Sequence, residues 1–413
     1  MISDKTNAST SFVWVWLPNH ATPIVAGKLV HDHNRYWFVY GKSYRERADA
    51  IALSPFELPL TDAVFESSGM QIIPSCLRDA LPDAWGRRLI DYQYPHLQKN
   101  ELDYGLLSGS DRIGALDFQS SASTFIARDL GNVNLKIIDQ LAIALETNHD
   151  FPASLAPVLL HGTSVGGARP KCLITIDHVD YIAKFSLSSD PYPFLRAEFL
   201  AMQLAKFVGI HVADVMLKEI HGRDILLIKR FDRHTIHRKK FRKLMLSGLS
   251  LLGLDELEAR YASYSELADV IRMHFNHPTQ QLTELYKRLV FNVVVGNTDD
   301  HARNHSAFWD GKSLQLTPAY DISPQLRVGF EATQAMRIDG VDAQASTLKN
   351  VLSVCDRFLL SEIKAKKIIN HQITVLNKRW SSLCDASKLN KREQNRLLGS
   401  VIKSDYCLLD WEV

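Results

Sequence analysis

Cysteine is scarce: the 413 residues hold five (Cys76, Cys172, Cys355, Cys384 and Cys407), widely spaced and with no CxxC pair. That spacing excludes a disulfide framework or a structural zinc knuckle and predicts a reducing, cytoplasmic setting. Long apolar runs are missing as well, since none approaches the roughly 18 to 20 residues of a membrane helix. The polar N-terminus MISDKTNASTS lacks an apolar signal core, so neither membrane insertion nor secretion is expected. Charge of one sign is not in excess: 48 Lys and Arg against 46 Asp and Glu leave +2, which excludes a polycationic binder but allows local patches. No internal repeat or low-complexity tract occurs. What is present is ordinary globular material, 46% hydrophobic and 23% charged, enough for a sizeable core in more than one folding unit.

The pattern predicts an α+β, bilobal chain. Phe12 to Leu17, Ile24 to Val30 and Tyr36 to Tyr40 are short runs of Val, Ile and aromatics broken by Pro, Asn, His and Gly, as in a meander of strands. They set a β-rich subdomain over 1–125, with Trp14, Trp16 and Trp37 as core residues. An amphipathic helix is expected near Leu135 to Glu146, followed by a glycine-rich segment. Strands at Val179 to Phe185 and Ile225 to Ile228, with a helix from about Phe194 to Val208 between them, make 126–245 a small lobe built on a sheet. Helical spacing dominates 246–413, interrupted by a hairpin turning at Asp310-Gly311.

The chemistry concentrates in GNTDDHARNH, residues 296–305. Asp299 and Asn304 stand as DxxxxN, the spacing at which a kinase catalytic loop presents a base carboxylate and then an amide able to ligate Mg²⁺. Alone, such an aspartate is equally a helix cap or turn residue. Beyond the Asp310-Gly311 turn lies TPAYDISP, and its Asp321 occupies the place of a metal-binding aspartate, although Ile322 follows and the sequence is not DFG. Together with Asn304 it offers the oxygen donors a hard cation needs. A competing use of the same stretch is zinc, with His301 and His305 on one helix face beside Asp299 or Asp300. Upstream, Lys184 ends the alternating strand YIAKF as a phosphate-holding lysine does, and Glu198 on the next helix is placed to pair with it. GTSVGGARPK, residues 162–171, has the glycines of a phosphate loop but not the Walker A pattern. Between 229 and 243, eight Lys and Arg face Asp232 alone, which reads either as a solvated loop or as a patch for phosphate or an acidic surface.

In order along the chain, LSPFELPL, LRDALPDAWGRRLI, DRIGALDF, SVGGARPK, YIAKF, RAE, KRFDR, NTDDHARN and TPAYDI resemble the HipA family of serine/threonine kinases, toxins of bacterial toxin-antitoxin pairs. The resemblance covers most of the chain. It implies a bilobal kinase-like fold using ATP and Mg²⁺, with Asp299 as catalytic base and Asn304 and Asp321 as metal ligands. It implies nucleotide contacts from Lys184, Glu198 and His301, a phosphate loop of Ser164, Val165, Gly166, Gly167 and Ala168, and an adenine hinge at Lys229, Arg230 and Phe231. It further implies autophosphorylation at Ser164, a HipB-like helix-turn-helix antitoxin, operator DNA reached mainly through that partner, and a protein substrate such as an aminoacyl-tRNA synthetase. Position 300 departs from the best-known members, carrying Asp where they have Gly. Two other functions compete: a small-molecule phosphotransferase resembling the aminoglycoside enzymes, and a corepressor bound to DNA through an antitoxin.

Overall fold

The computed structural model describes residues 8–33, 35–67, 70–128, 169–327, 329–340 and 343–411. The chain divides into two compact units: Met1–Phe185 with Lys229–Leu246 and Phe308–Lys312, and Ser186–Ile228 with Ser247–Ala307 and Ser313–Val413. The mixture of antiparallel sheets and helices is the α+β class that the sequence predicts. Among the described residues no helix is long and apolar enough to cross a membrane. The five cysteines are free thiols, all buried. The helix expected near Leu135 to Glu146 and the glycine-rich segment through Ala168 lie outside the described residues.

The first unit is built on a five-stranded sheet in the order β4-β3-β2-β1-β5. Its strands are β1 (Thr10–Val15), β2 (Ile24–Asp32), β3 (Arg35–Tyr40), β4 (Val64–Glu66) and β5 (Leu116–Gln119). In β3 the two-residue period is plain: Tyr36, Phe38 and Tyr40 are buried while Arg35, Trp37 and Val39 are more open. Trp14 and Trp16 are core residues packed on Phe125, as expected, whereas Trp37 is only half-buried. Gly27 on β2 is required by proximity, because a Cβ there would meet the Val39 carbonyl at 2.3 Å. A separate hairpin pairs β6 (Lys171–Ile176) with β7 (Val179–Phe185), and Trp85 Nε1 fixes its start by donating to Lys171 O, 2.9 Å. The turn expected at Asp310-Gly311 closes with Lys312 N donating to Asp310 Oδ1, 2.9 Å, and Gly311 at φ +90 supplies the left-handed step.

Buried ion pairs hold this unit together. Arg112, fully buried, donates through Nε to Asp117 Oδ1 at 2.7 Å, through Nη1 to Ala80 O at 2.9 Å and through Nη2 to Gly105 O. Burial pulls the guanidinium pKa down to about 10, against the pull of Asp117. A second network draws part of the basic run inward. Arg230 reaches Asp232 at 2.7 Å and Asp111 at 3.0 Å, and Arg233 reaches the same two carboxylates at 2.8 and 3.0 Å. Burial alone would raise the Asp232 carboxyl, but Arg230 and Arg233 hold it near 2. Arg242 stacks 3.6 Å from the centre of the Trp16 ring. Arg230 and Arg233 are neutralised inside the fold, whereas Lys229, Arg238, Lys239, Lys240 and Lys243 of the same run are exposed.

The second unit is mainly helical. It contains helix α1 (Phe194–Phe207), the hairpin of β8 (Val215–Ile220) with β9 (Arg223–Lys229), and helices α2 (Tyr264–His274), α3 (Pro278–Val295) and α4 (Glu362–Ala386). Pro278 opens α3, where the missing N–H costs nothing. Every residue from Arg288 to Val295 is buried, so the last two turns of α3 form the unit's centre.

Removing one partner of a buried ion pair leaves an uncompensated charge, so Arg112→Ala should lower stability by about 3–5 kcal/mol. Urea unfolding of the two proteins checks this, the midpoint falling with the slope unchanged.

Candidate functional site

The site grows from the end of α3. Gly296 ends that helix in the left-handed conformation at φ +67, with its N–H donating to Val293 O at 3.2 Å and the Asn297 N–H donating to Asn292 O at 2.8 Å. This is a Schellman end, which glycine satisfies without strain. Space demands glycine as well, since a Cβ would stand 2.6 Å from the Val401 carbonyl. The loop beyond is clamped by backbone bonds: Gln325 N to Gly296 O, Ala335 N to Thr298 O and Met336 N to Asp300 O, each 2.9 Å. A 3₁₀ turn, Ala302–Asn304, completes it. Gly248 N donates to His305 O at 2.7 Å, and a side chain on Gly248 would strike Ala302 O at 2.3 Å.

On this loop Asp299 is exposed and Asn304 is buried. Asn304 Nδ2 donates to the Asp299 carbonyl at 3.4 Å, a bond that leaves Oδ1 as the amide's ligating atom. The Asp299 carboxyl is pushed above the ordinary range, first by desolvation from the surrounding loop and then by the charges of Asp321 and Asp300, while His301 and Arg303 pull it down. Asp321 therefore lies close enough for its charge to act on Asp299. It is half-buried and takes φ +57, a left-handed backbone that aspartate tolerates better than most side chains and that often marks a functional position. The strand before it is fixed by Ala213 N donating to Ala319 O, 2.9 Å, and Ala319 N to His211 O, 2.7 Å. After it, the Tyr192 hydroxyl donates to Pro324 O.

The structure thus gathers Asp299, Asn304, Asp321 and His301 within the second unit. His301 is half-buried and precedes the 3₁₀ turn. His301 and His305 do not share a helix face, because the chain between them is that short turn and His305 Nε2 lies 3.1 Å from Asp300 Oδ1. Among the described residues no three His, Cys, Asp or Glu side chains converge as a metal cluster, so the zinc reading loses its geometry. Lys184 is buried on β7 of the first unit, and Glu198 is wholly buried on α1 of the second. Lys229 is exposed at the end of β9, Arg230 is held in the ion pairs described above with its N–H on Asp180 O at 2.9 Å, and the Phe231 ring meets Phe308 edge-on at 6.1 Å. Ser164, Val165, Gly166, Gly167 and Ala168 lie outside the described residues. Sequence reasoning missed the support behind the loop, Tyr264 and Asn292. The legible signal was a lone asparagine inside the apolar run LVFNVVV.

As donors, the Asp321 carboxylate and Asn304 Oδ1 are of the kind that suits a hard cation keeping water and phosphate oxygens in its shell. Mg²⁺ suits these donors better than a metal that needs an all-protein cage.

Comparison with known proteins places the arrangement. The HipA N-terminal domain matches residues 15–119 and the HipA-like C-terminal domain matches residues 163–380. The serine/threonine-protein kinase toxin HipA of Shewanella oneidensis is 27% identical over 201 residues, 43% of this chain and 46% of that protein. The Sinorhizobium fredii protein Y4mE is 30% identical over 168 residues, 35% of this chain and 38% of its own length. The chain so spans less than half the length of these curated relatives. A solved structure of Shewanella oneidensis HipA, in complex with HipB and operator DNA, superposes with a TM-score of 0.71 at 19% identity and covers 91% of this chain and 94% of its own. That likeness establishes the fold. With the C-terminal domain match alone spanning more than half of its residues, the chain belongs to the HipA family.

Proposed function

We propose that the chain is an ATP- and Mg²⁺-dependent serine/threonine protein kinase acting as the toxin of a toxin-antitoxin module. The observation that carries this reading is the loop of the second unit, where an exposed carboxyl of raised pKa, Asp299, stands with Asn304 and the left-handed Asp321. A carboxylate of raised pKa is a better base for a hydroxyl proton at neutral pH. Asp299 orients the acceptor hydroxyl and takes its proton as the oxygen attacks the γ-phosphorus and ADP leaves. Asn304 and Asp321 would hold Mg²⁺, which when bound neutralises charge on the transferred phosphoryl group. Lys184, Glu198, His301, the loop Ser164, Val165, Gly166, Gly167 and Ala168, and the backbone of Lys229, Arg230 and Phe231 are the proposed nucleotide contacts. Most of the rate enhancement then comes from positioning and electrostatics rather than from covalent chemistry.

Regulation and partners follow the same resemblance. Ser164 is the proposed autophosphorylation site, and phosphate there switches the kinase off. The relative solved with HipB and operator DNA supports a helix-turn-helix antitoxin as partner, with DNA reached mainly through it. The proposed acceptor is a translation protein such as an aminoacyl-tRNA synthetase. The same complex favours a second role as corepressor, which separates from the first if Asp299→Asn still strengthens operator binding by the antitoxin while transferring no phosphate.

Transfer of labelled phosphate from ATP into a lysate should fall about 10²–10⁴-fold in Asp299→Asn, and a variant with full transfer overturns the base assignment. The same substitution carries a stability signature. A carboxyl whose folded pKa is raised loses stability as pH rises through that value, so ionised Asp299 is unfavourable at neutral pH. The Tm of Asp299→Asn at pH 7 should equal or exceed the parent's, and the difference should vanish below the ordinary carboxylate range. Mass spectrometry of protein expressed with ATP should find phosphate on Ser164 in the parent and none in Asp299→Asn.

A further inference from the structure

Behind the loop runs a chain of buried polar side chains to which the reading above gives no task. Asn297 Nδ2 donates to Asn292 Oδ1 at 3.0 Å, and Asn292 Nδ2 donates to the Tyr264 hydroxyl at 3.0 Å. The Tyr264 hydroxyl donates to Asp300 Oδ2, and His305 Nε2 lies 3.1 and 3.2 Å from the two Asp300 oxygens. A carboxylate only accepts, so the ring nitrogen facing it carries the proton. The Tyr264 and His305 rings meet edge-on at 5.2 Å. All five residues are at most 3% exposed. Burial and the neighbouring Asp300 push the Tyr264 phenol well up, which keeps it a neutral donor. Three of the five stand on the loop, at its first residue, its middle and its end, while Tyr264 opens α2 and Asn292 lies in the last turn of α3.

A buried charge survives folding only when hydrogen bonds replace its water, and the directional bonds that converge on Asp300 in a low-dielectric interior restrict its geometry. Asn297 Oδ1 and His305 Nδ1, at the two ends of the chain, have no partner among the described residues. Asp300 is adjacent to Asp299, and its own carbonyl is bound by Met336 N at 2.9 Å, so side chain and backbone are both tied down at this residue. The next residue is His301 and the 3₁₀ turn ends at Asn304. We infer that Asp300 is a positioning residue: its buried carboxylate, held by Tyr264 and His305, fixes the loop 297–305 so that Asp299, His301 and Asn304 are presented in one register. This inference rests on the kinase reading for its catalytic consequence, but not for its structural one.

The test uses the full chain with Tyr264→Phe, which removes a single hydroxyl, and with Asp300→Asn, whose amide nitrogen cannot accept from the phenol or the imidazole. Hydrogen–deuterium exchange of the amides in 297–305 should quicken at least tenfold in Tyr264→Phe. Turnover per folded molecule should fall about 10- to 100-fold, since a misplacement of about 1 Å can cost that much. The Kd for Mg·ATP by calorimetry should rise as well, since the proposed metal ligand Asn304 and nucleotide contact His301 share the loop. A purely structural role would lower Tm and leave turnover per folded molecule unchanged, and that outcome overturns the inference, as does unchanged exchange in the loop. If the parent protein transfers no phosphate, the kinase reading fails, and the exchange comparison still decides whether Asp300 fixes the loop.

Discussion

The constraint on which the second unit depends is the abrupt end of its central helix. Helix α3 is wholly buried over its last eight residues, from Arg288 to Val295, and such a helix must surrender its final carbonyls to partners in a space with no water. Gly296 solves this by reversing the sign of φ, and the next N–H returns to Asn292 O. The same reversal throws the chain outward and starts the loop that carries Asp299. A packing requirement and a chemical one are therefore met by one residue. The terminal segment depends on it too, because Val401 O occupies the volume a Cβ would take and Lys403 N donates to Val294 O at 2.7 Å.

The first unit solves a different problem, the burial of arginine. A guanidinium has five donors, and leaving some unpaired in the interior costs more than a single Coulomb contact returns. Arg112 is spread over one carboxylate and two carbonyls, and Arg230 shares Asp111 and Asp232 with Arg233. Gly114 N completes Asp232 at 2.8 Å. These pairs join the turn at 111–114 to the strand end at 230–233, residues more than a hundred positions apart in sequence. Hydrophobic contact alone would let that turn slide, whereas directional donors fix it.

Much of this was legible in the sequence, and the failures have physical causes. Short runs of Val, Ile and aromatics announced β1 to β3, and VDYIAKF announced β7 to the residue, because strand propensity and period-two burial are local properties. Asp299, Asn304 and Asp321 are singled out by their spacing, and all three stand in the second unit. Within the run 229–243 the burial of Arg230 and Arg233 was not legible, since counting charge reveals nothing of whether Asp111, far upstream, will reach them. The pairing of His301 with His305 failed for a similar reason: the four-residue interval brings side chains together only on a helix, and the turn between them is too short. Tyr264 and Asn292 were missed because their use depends on tertiary neighbours, although a polar residue in an otherwise apolar buried helix demands a partner.

The burial of all five thiols gives the molecule a property unrelated to catalysis. Desolvation drives the Cys172 thiol far up and the Cys384 and Cys407 thiols to about 11, so in the folded state these sulfurs hold little nucleophilic thiolate. A soluble alkylating reagent then reacts mainly with opened molecules. Cys76 and Cys172 sit in the first unit and Cys355, Cys384 and Cys407 in the second, so the order in which the five sulfurs become labelled records which half of the protein opens first.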